Sequence, residues 1–256
     1  MNKVSIICCY TNDQQLKIMV DSLRIQDMEH DLVLIENHNN KFDSAAKALN
    51  YGAKKAKSDL LMFVHQDIRW KETNTLSNLL HNCQILEQGD IAGVAGAVVK
   101  NGRKKTLTNI THSDKEIVYP SAGFKGESIG VESIDECVII MLKATWISHP
   151  FDEELCDNWH CYGVEQCLYA RKNGNKVYAF NAEINHLSST GSLNYEFYRA
   201  IIRLIKKYRN DFSYIVATTG YWPVKRYYYY ILRRILSEKK AKFMQSRKLK
   251  RIRKDL

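Results

Sequence analysis

No apolar run in this 256-residue sequence approaches the roughly 18 residues that a helix needs to cross a bilayer. No secretory signal is expected at the start of this sequence, because Met1-Asn2-Lys3 leads into an apolar run that ends by Tyr10, too short for a signal-peptide core with a cleavage site. The cysteines number seven, and an odd count suits reduced thiols better than a disulfide framework. These absences predict a protein of the cytoplasm.

The net charge of +10 is concentrated at one end of the chain. Residues 225–256 hold 13 basic and 2 acidic residues, whereas the rest of the chain is close to neutral. A basic tail of this kind either meets an anionic partner or solubilises a helix. The near-neutral body and the absence of a nucleic-acid-binding motif argue against a nucleic acid as that partner.

Apolar runs of strand length alternate with segments of helical spacing in the first hundred residues. The predicted strands are Val4–Tyr10, Leu32–Glu36, Leu60–Val64 and Ile91–Val99, and the helices between them are Gln14–Gln26, Asp43–Lys57 and Thr75–Gln88. Strands that alternate with helices indicate βαβ units. The sequence therefore predicts an α/β fold with a Rossmann-like, mostly parallel sheet and helices on both faces.

The pattern changes after residue 100. Glycines and polar residues in 101–136 indicate loops and hairpins. The predicted elements that follow are a strand at Cys137–Leu142, a helix at Gly163–Asn173, strands at Val177–Phe180 and Glu183–His186, a helix at Tyr195–Tyr208 and a basic helical segment after Pro223. We expect a domain over 1–192, divided into halves at residue 100, and a helical, basic extension over 193–256.

Polar residues follow the predicted strands, at the sheet edge where ligands bind in open parallel sheets. Tyr10 and Thr11 follow the first strand, and Glu36 and Asn37 follow the second, so we expect them to contact a nucleoside. Neither a Gly-x-Gly-x-x-Gly nor a P-loop motif follows the first strand, which disfavours dinucleotide and P-loop chemistry. A divalent metal is the alternative means of holding phosphates.

His65-Gln66-Asp67 follows the third strand and fits that need. The Asp67 carboxylate is the type of ligand that Mn²⁺ or Mg²⁺ takes beside substrate phosphates. The alternative is that Asp67 only caps the turn before Arg69. His186 ends another predicted strand and precedes several hydroxyl residues, which suits a metal or phosphate ligand, although a single histidine is more often structural.

The segment 157–165 places several groups capable of proton transfer at the start of a helix. Asp157, His160 and Glu165 are therefore candidates for the general base that activates an acceptor hydroxyl. The alternatives are that Asp157 and Glu165 cap the helix and complement its dipole, or that Cys156, His160, Cys161 and Cys167 bind zinc. The cysteine and histidine spacings match no standard zinc finger.

Read together, these segments resemble a family 2 glycosyltransferase of the GT-A type, from a bacterial branch with His-Gln-Asp in place of Asp-x-Asp. The resemblance covers roughly residues 4–192. Its most specific part is Phe-Val-His-Gln-Asp at 63–67, followed about a hundred residues later by Tyr-Gly-x-Glu-x-Cys-Leu at 162–168. The other matching segments are 4–10, 48–62, 133–137, 151–152 and 186–188.

The resemblance implies an inverting, metal-dependent transfer of a sugar from a nucleotide sugar, usually a UDP-sugar, to an acceptor hydroxyl in polysaccharide or glycoconjugate synthesis. Asp67, with His186, would bind Mn²⁺ or Mg²⁺ at the diphosphate. The predicted donor-binding residues are Tyr10, Thr11, Glu36, Asn37, Asn50, His65 and Gln66, and the predicted acceptor-binding residues are Asp135, Glu136, Trp159 and Tyr162.

The chain departs from the family pattern at the position of the catalytic base. Many relatives carry Glu-Asp just ahead of the last helix of the domain, with the Asp as base, and Tyr162-Gly163 falls where that pair would lie. Glu165 is therefore the first candidate, Asp157 the second and His160 the third.

Three further interpretations stay open. The basic, aromatic tail is suited to the anionic inner face of a membrane, where a lipid-linked glycan acceptor would be found, or is merely solvated. The rival enzyme class is a nucleotidyltransferase that makes a nucleotide sugar, although the glycine-rich loop of that class is missing. The chain could also be a catalytically silent module that binds nucleotide sugars.

Overall fold

The structure is a computed structural model that describes residues 3–113, 123–187 and 193–252. The first elements are β1 (Val4–Tyr10), α1 (Asp13–Arg24), β2 (His30–Glu36), α2 (Ala45–Ala53), β3 (Leu60–Val64), β4 (Ile68–Trp70) and α3 (Thr75–Asn82), with a 3-10 turn at Cys83–Ile85. The middle of the chain forms β5 (Ile91–Gly93), β6 (Ala95–Lys100), β7 (Arg103–Thr108), β8 (Thr111–His112), β9 (Ser128–Gly130), β10 (Ser133–Ile134), β11 (Val138–Leu142) and α4 (Lys143–Ser148). The last elements are α5 (Tyr162–Lys172), β12 (Val177–Phe180), β13 (Ile184–His186), α6 (Tyr195–Tyr208), β14 (Tyr214–Ala217), β15 (Gly220–Pro223) and α7 (Tyr227–Ile252).

A seven-stranded sheet forms the centre, in the order β2-β1-β3-β11-β5-β12-β9. β1 pairs in parallel with β2 and β3, and β12 pairs in parallel with β5. β11 and β9 run against their neighbours. Five strands therefore share one direction, and the predicted mostly parallel α/β sheet is confirmed.

Helices cover both faces of this sheet, because the strand side chains alternate between two apolar clusters. On one face Ile6 and Met62 pack with apolar residues of α1 and α3. On the other face Ile7 and Phe63 pack with the alanines of α2 and with residues of α4 and α5. The α2 helix begins after Ser44, whose hydroxyl accepts a hydrogen bond from the Lys47 N–H, so the helix starts later than the predicted Asp43.

The predicted single strand over 91–99 is wrong, because the chain forms two strands there. β5 belongs to the central sheet, whereas β6 turns away to pair with β7 and β10 in a second sheet. Gly93 ends β5, and a Cβ on this residue would lie 2.8 Å from the Val138 carbonyl oxygen. The close backbone approach at this bend gives no signal in hydrophobic periodicity, which reads 91–99 as one run.

A third apolar cluster joins the C-terminal elements to α5. Phe197, Ile201, Leu204 and Tyr208 lie at helical spacing along α6 and pack against α5, the β14–β15 hairpin and Ile231 at the start of α7. The bounds of α6 agree with the predicted Tyr195–Tyr208. Among the described residues, no helix is long and apolar enough to span a bilayer.

Candidate functional site

A cavity of about 420 Å³ lies at the carboxyl ends of β1, β2 and β3. The three strands are parallel, so the segments that follow them meet at one edge of the sheet. The cavity brings together eight of the predicted site residues: Thr11, Asn37, His65, Gln66, Asp67, Glu136, Trp159 and Tyr162.

His65, Asp67 and His186 form a group beside this cavity, which His65 and Asp67 line and His186 does not. β13 lies antiparallel to β4, with His186 opposite Ile68, and the Leu187 N–H donates to the Asp67 carbonyl oxygen over 2.9 Å. This pairing brings His186 to the end of β3, where its Nε2 lies 3.3 Å from Asp67 Oδ1. One ligand atom from each of the three residues lies within 4.8 Å of the others.

The electrostatics of these histidines differ. Burial lowers the pKa of His65, in opposition to the charge of Asp67. Burial also lowers the pKa of His186, but the hydrogen bond and charge of Asp67, together with the charge of Asp135, raise it more, so its net shift is upward. A carboxylate with two imidazoles fits a divalent transition metal, because imidazole binds these ions well and Mg²⁺ prefers oxygen ligands.

Two polar contacts fix the motif that follows β3. Gln66 Oε1 accepts hydrogen bonds from the backbone N–H groups of Thr11 and Asn12, both over 2.8 Å, and so ties the end of β3 to the end of β1. His65 Nε2 lies 3.0 Å from the Tyr162 hydroxyl at the start of α5. These contacts hold the motif in place from two sides.

The predicted donor-binding residues fall into two groups. Asn37 is buried, lines the cavity and holds the Phe42 backbone through both ends of its amide. Tyr10 and Glu36 are not among the lining residues and instead contact His38, Tyr10 edge-on and Glu36 through an oxygen 3.2 Å from Nδ1. Their predicted contact with a nucleoside stays a prediction.

The structure argues against donor binding by Asn50. Its Oδ1 accepts from Trp146 Nε1 and from the Phe151 N–H, and its Nδ2 donates to the Phe151 carbonyl and to Glu153. The residue is buried and is absent from the cavity lining. Its amide holds the segment after α4 against α2, which is a structural role.

The structure also argues against Glu165 as the general base. Its side chain is 0% exposed and contacts His149 Nε2 at 3.1 Å, Lys207 Nζ at 2.8 Å and the Tyr208 hydroxyl at 2.6 Å. Burial raises the pKa of Glu165, but these three hydrogen bonds lower it more, so the net shift is downward. Glu165 joins α5 to α6 outside the cavity.

The other two candidates for the base lie beside α6. Asp157 is held by Arg199 at 2.9 Å and by Arg203 at 2.6 Å, outside the cavity. His160 packs edge-on against Phe197 and lines a second cavity of about 110 Å³. Cys156, His160, Cys161 and Cys167 do not form a metal-ligand group among the described residues, so the zinc alternative has no support.

The predicted acceptor-binding residues surround the entrance to α5. Trp159 is 42% exposed and lines the main cavity with Tyr162 and Glu136. Asp135 accepts from the Thr218 hydroxyl over 2.6 Å and does not line the cavity. The structure therefore places three of the four at the cavity and gives Asp135 a contact with the β14–β15 turn.

The sequence interpretation missed several residues at or near the site. Cys9 and Asn40 line the cavity, and Asn40 has a left-handed backbone conformation with φ of 51°. His112 lies in β8, with its ring centroid 5.8 Å from that of His186. The Asn-His-Asn-Asn run at 37–40 was a usable signal for Asn40, whereas no local pattern connects His112 to His186 across about 70 residues.

Comparison with known protein families gives a match over residues 5–200 to the family described as "Glycosyltransferase like family". A protein from Fuscovulum blasticum named "ATP synthase subunits region ORF 6" is 24% identical over 163 residues. These residues are 62% of this chain and 63% of that protein, so the chain spans less than two thirds of this relative's length.

Solved structures share the fold at low sequence identity. TarS residues 1–349 from S. aureus, in complex with UDP, matches 83% of this chain and 67% of its own at 17% identity, with a TM-score of 0.55. GalNAc-T7 with UDP, GalNAc and Mn²⁺ matches 80% of this chain and 48% of its own at 12% identity, with a TM-score of 0.58.

The mannosyltransferase PcManGT from Pyrobaculum calidifontis, with GDP-Man and Mn²⁺, matches 82% of this chain and 65% of its own at 10% identity, with a TM-score of 0.51. These three likenesses confirm the predicted GT-A fold. Because the family match extends over well more than half of the chain, this protein belongs to the glycosyltransferase-like family.

Proposed function

We propose that the enzyme transfers a sugar from a nucleotide-sugar donor to an acceptor hydroxyl, and that it requires a divalent metal. The observation that carries this proposal is the His65–Asp67–His186 group at the edge of a cavity of about 420 Å³. A cavity of this size is in the range that holds a ligand with a nucleoside and a diphosphate. The complexes of TarS with UDP and of PcManGT with GDP-Man and Mn²⁺ support the same donor class.

The proposed metal ligands are Asp67, His186 and His65. His65 joins the two ligands expected from the sequence because its ring lies with theirs in one group, although its Nε2 also meets the Tyr162 hydroxyl. A bound cation would supply Lewis-acid stabilisation of the charge that develops on the departing nucleoside diphosphate. The donor set favours Mn²⁺ over Mg²⁺, because two of the three ligands are nitrogens.

The residues after β1 and β2 are the proposed nucleoside side of the cavity. Thr11 and Asn37 line it, and Gln66 holds the Thr11 N–H in position. A UDP-sugar is the proposed donor. The family resemblance supports inversion at the anomeric carbon. Inversion results from a single in-line displacement, which needs one base and forms no covalent intermediate.

The proposed acceptor is a glycan in polysaccharide or glycoconjugate synthesis, presented on a lipid carrier. α7 supports this proposal, because Tyr228, Leu232 and Leu236 follow one another at four-residue spacing and are 57–60% exposed. Arg233, Arg234, Lys239 and Lys240 are exposed on the same helix. Apolar and basic side chains on one exposed helix suit an anionic membrane surface.

A donor-hydrolysis screen separates this function from its rivals. UDP-, GDP- and dTDP-sugars are incubated with the protein in Mn²⁺, in Mg²⁺ and in chelator, and the released products are measured. A glycosyltransferase slowly releases nucleoside diphosphate from one donor, and we expect more release in Mn²⁺ than in Mg²⁺. Pyrophosphate production would indicate a nucleotidyltransferase, and no release from any donor would indicate a silent binding module.

Asp67→Asn provides the matched test of the metal. The substitution keeps the size of the side chain and removes the charge, so we expect metal-dependent UDP affinity to fall by at least about tenfold. Asp21→Asn is the control, because Asp21 lies in a surface ion pair with Lys17 on α1. Equal UDP affinity of Asp67→Asn and the unmodified protein in Mn²⁺ would overturn the metal assignment.

A further inference from the structure

The carboxyl group of Glu136 lies between two cavities. Glu136 follows β10 and precedes β11, and it lines both the main cavity and the second cavity of about 110 Å³. Among the described residues, it is the one that these two linings share. The second cavity is bordered by His160, Phe197 and the β14–β15 turn, and the described residues that line it do not include Thr11 or Asn37.

One oxygen of this carboxyl group has no assigned structural use. Glu136 Oε1 is buried and has no hydrogen-bond partner among the described residues. Glu165 differs from Glu136, because both of its oxygens contact side-chain partners, which are His149, Lys207 and Tyr208. A buried polar atom without a protein partner is costly, so a water, an ion or a ligand hydroxyl has to satisfy it.

The Glu136 side chain also occupies the space next to Gly163. A Cβ built on Gly163 would lie 3.0 Å from Glu136 Cγ and 3.6 Å from Glu136 Oε1. A side chain at position 163 and the carboxyl group of Glu136 therefore compete for one volume at the start of α5. The glycine leaves that volume to Glu136.

We propose that Glu136 is the general base of the transfer reaction, in place of an acidic residue on α5. This inference rests on the proposed function. As the acceptor oxygen attacks the anomeric carbon, its O–H bond breaks and the proton moves to the Glu136 carboxylate. The bond from the anomeric carbon to the phosphate oxygen breaks at the same time, and its electron pair leaves with the nucleoside diphosphate.

The protonation chemistry of Glu136 is compatible with this role. Burial, and to a smaller extent the charge of Asp135, raise the pKa of Glu136 to about 8, although hydrogen bonding of the carboxyl group with the backbone N–H groups of Gly163, Val164 and Cys161 at the start of α5 lowers it. A carboxyl group with a pKa near the working pH is a stronger base than an ordinary glutamate and still exists partly as carboxylate. After transfer it returns its proton to water.

The test uses the full chain with Mn²⁺ and UDP-glucose or UDP-GlcNAc, with water as the acceptor, and measures UDP release. We expect Glu136→Gln to lower the rate by about 100-fold or more, with the Kd for UDP unchanged within about twofold. Glu127→Gln is the control, because Glu127 is exposed and lies outside both cavities. Retention of more than about a third of the rate by Glu136→Gln would overturn the proposal.

A carboxylate swap separates a catalytic from a structural role. Glu136→Gly removes the carboxyl group. The additional substitution Gly163→Asp introduces a carboxyl group on α5, next to the space that the Glu136 side chain occupied. We expect the double variant to release UDP at least about tenfold faster than Glu136→Gly alone, with equal UDP affinity. If both variants bind UDP and the second substitution restores nothing, Glu136 is not the base.

The failure of the two proposals can be told apart. If the unmodified protein hydrolyses a donor and Glu136→Gln is equally active, only the assignment of the base is refuted. An unmodified protein that hydrolyses no donor refutes the proposed function, and the assignment of Glu136 fails with it.

Discussion

At the residue scale, Glu165 illustrates how a carboxylate at the entrance to a helix can be structural. Its two oxygens contact the Lys207 ammonium and the Tyr208 hydroxyl of α6 and the His149 imidazole after α4, and its side chain is fully buried. Breaking a buried ion pair costs several kcal/mol because the remaining charge loses its partner. The residue therefore joins α5 to the C-terminal elements.

We predict that Glu165→Gln lowers the free energy of unfolding by about 3 kcal/mol at pH 7. The affinity for UDP should stay unchanged, because the residue lies outside the cavity. Urea unfolding followed by circular dichroism measures the first quantity. Glu29→Gln, at an exposed position, is the control. Full stability with lost donor hydrolysis would return Glu165 to the list of candidates for the base.

The pH dependence of this effect has a definite sign. The pKa of Glu165 in the folded protein is below its ordinary value of 4.5, so its stabilising contribution is present above that value. The contribution is lost as the pH falls through the folded pKa. The stability difference between the protein and Glu165→Gln should therefore shrink between about pH 5 and pH 3, and a constant difference would contradict the ion-pair account.

The same residue scale shows how far the sequence predicts the site. Asp67 and His186 were expected together because the family resemblance implies a shared metal, and the structure places His186 Nε2 3.3 Å from Asp67 Oδ1. Glu165 and Asn50 carry equally polar side chains, but hydrogen-bond partners distant in sequence occupy them. Polarity and local spacing identify candidate site residues in the sequence. Whether such a residue binds a ligand or stabilises the fold depends on contacts that only the tertiary structure shows.

At the element scale, hydrophobic periodicity predicts the buried strands of the central sheet best. β3 and β12 have the predicted bounds, because each is a short apolar run that ends where the chain leaves the core. The β5–β6 bend was missed, since both strands are apolar and only the approach of Gly93 to Val138 separates them. β4 and β8 are too short for a periodic signal, whereas β13 begins one residue after the start of the predicted strand Glu183–His186. The pairing of β13 with β4 and β8 could not be predicted, and it completes the proposed metal-ligand group.

The α7 helix has a buried side and an exposed apolar side, and this division decides how its role is tested. Ile231 is buried and Ile235 packs against the third apolar cluster, so deletion of the helix would disturb the fold. Leu232 and Leu236 are each 57% exposed and can be changed without loss of core contacts.

We predict that Leu232→Ser with Leu236→Ser lowers binding to vesicles containing anionic phosphatidylglycerol by about tenfold, because burial of two leucines is worth about 1.5–3 kcal/mol each when complete. Sedimentation with vesicles of phosphatidylcholine, with and without phosphatidylglycerol, measures the effect. Ile147→Ser, at another exposed apolar position, is the control. Equal sedimentation of the double variant and the unmodified protein would contradict membrane contact through α7.

At the scale of the whole molecule, the site is assembled from segments far apart in the chain. Five segments meet at one edge of the sheet: the ends of β1 and β3, the segment between β10 and β11, the start of α5 and the end of β13. A parallel sheet makes this possible, because it gathers the ends of its strands on one side. The fold could be predicted from strand and helix alternation, but the approach of β13 from the C-terminal half could not.

The most direct measurement is a crystal structure with Mn²⁺ and UDP, with manganese located by anomalous scattering. We expect a manganese peak bound by Asp67, His186 and His65, with the diphosphate on its other side and the uridine against Thr11 and Asn37. A manganese ion bound elsewhere, or UDP bound with its diphosphate away from Asp67, would contradict this expectation.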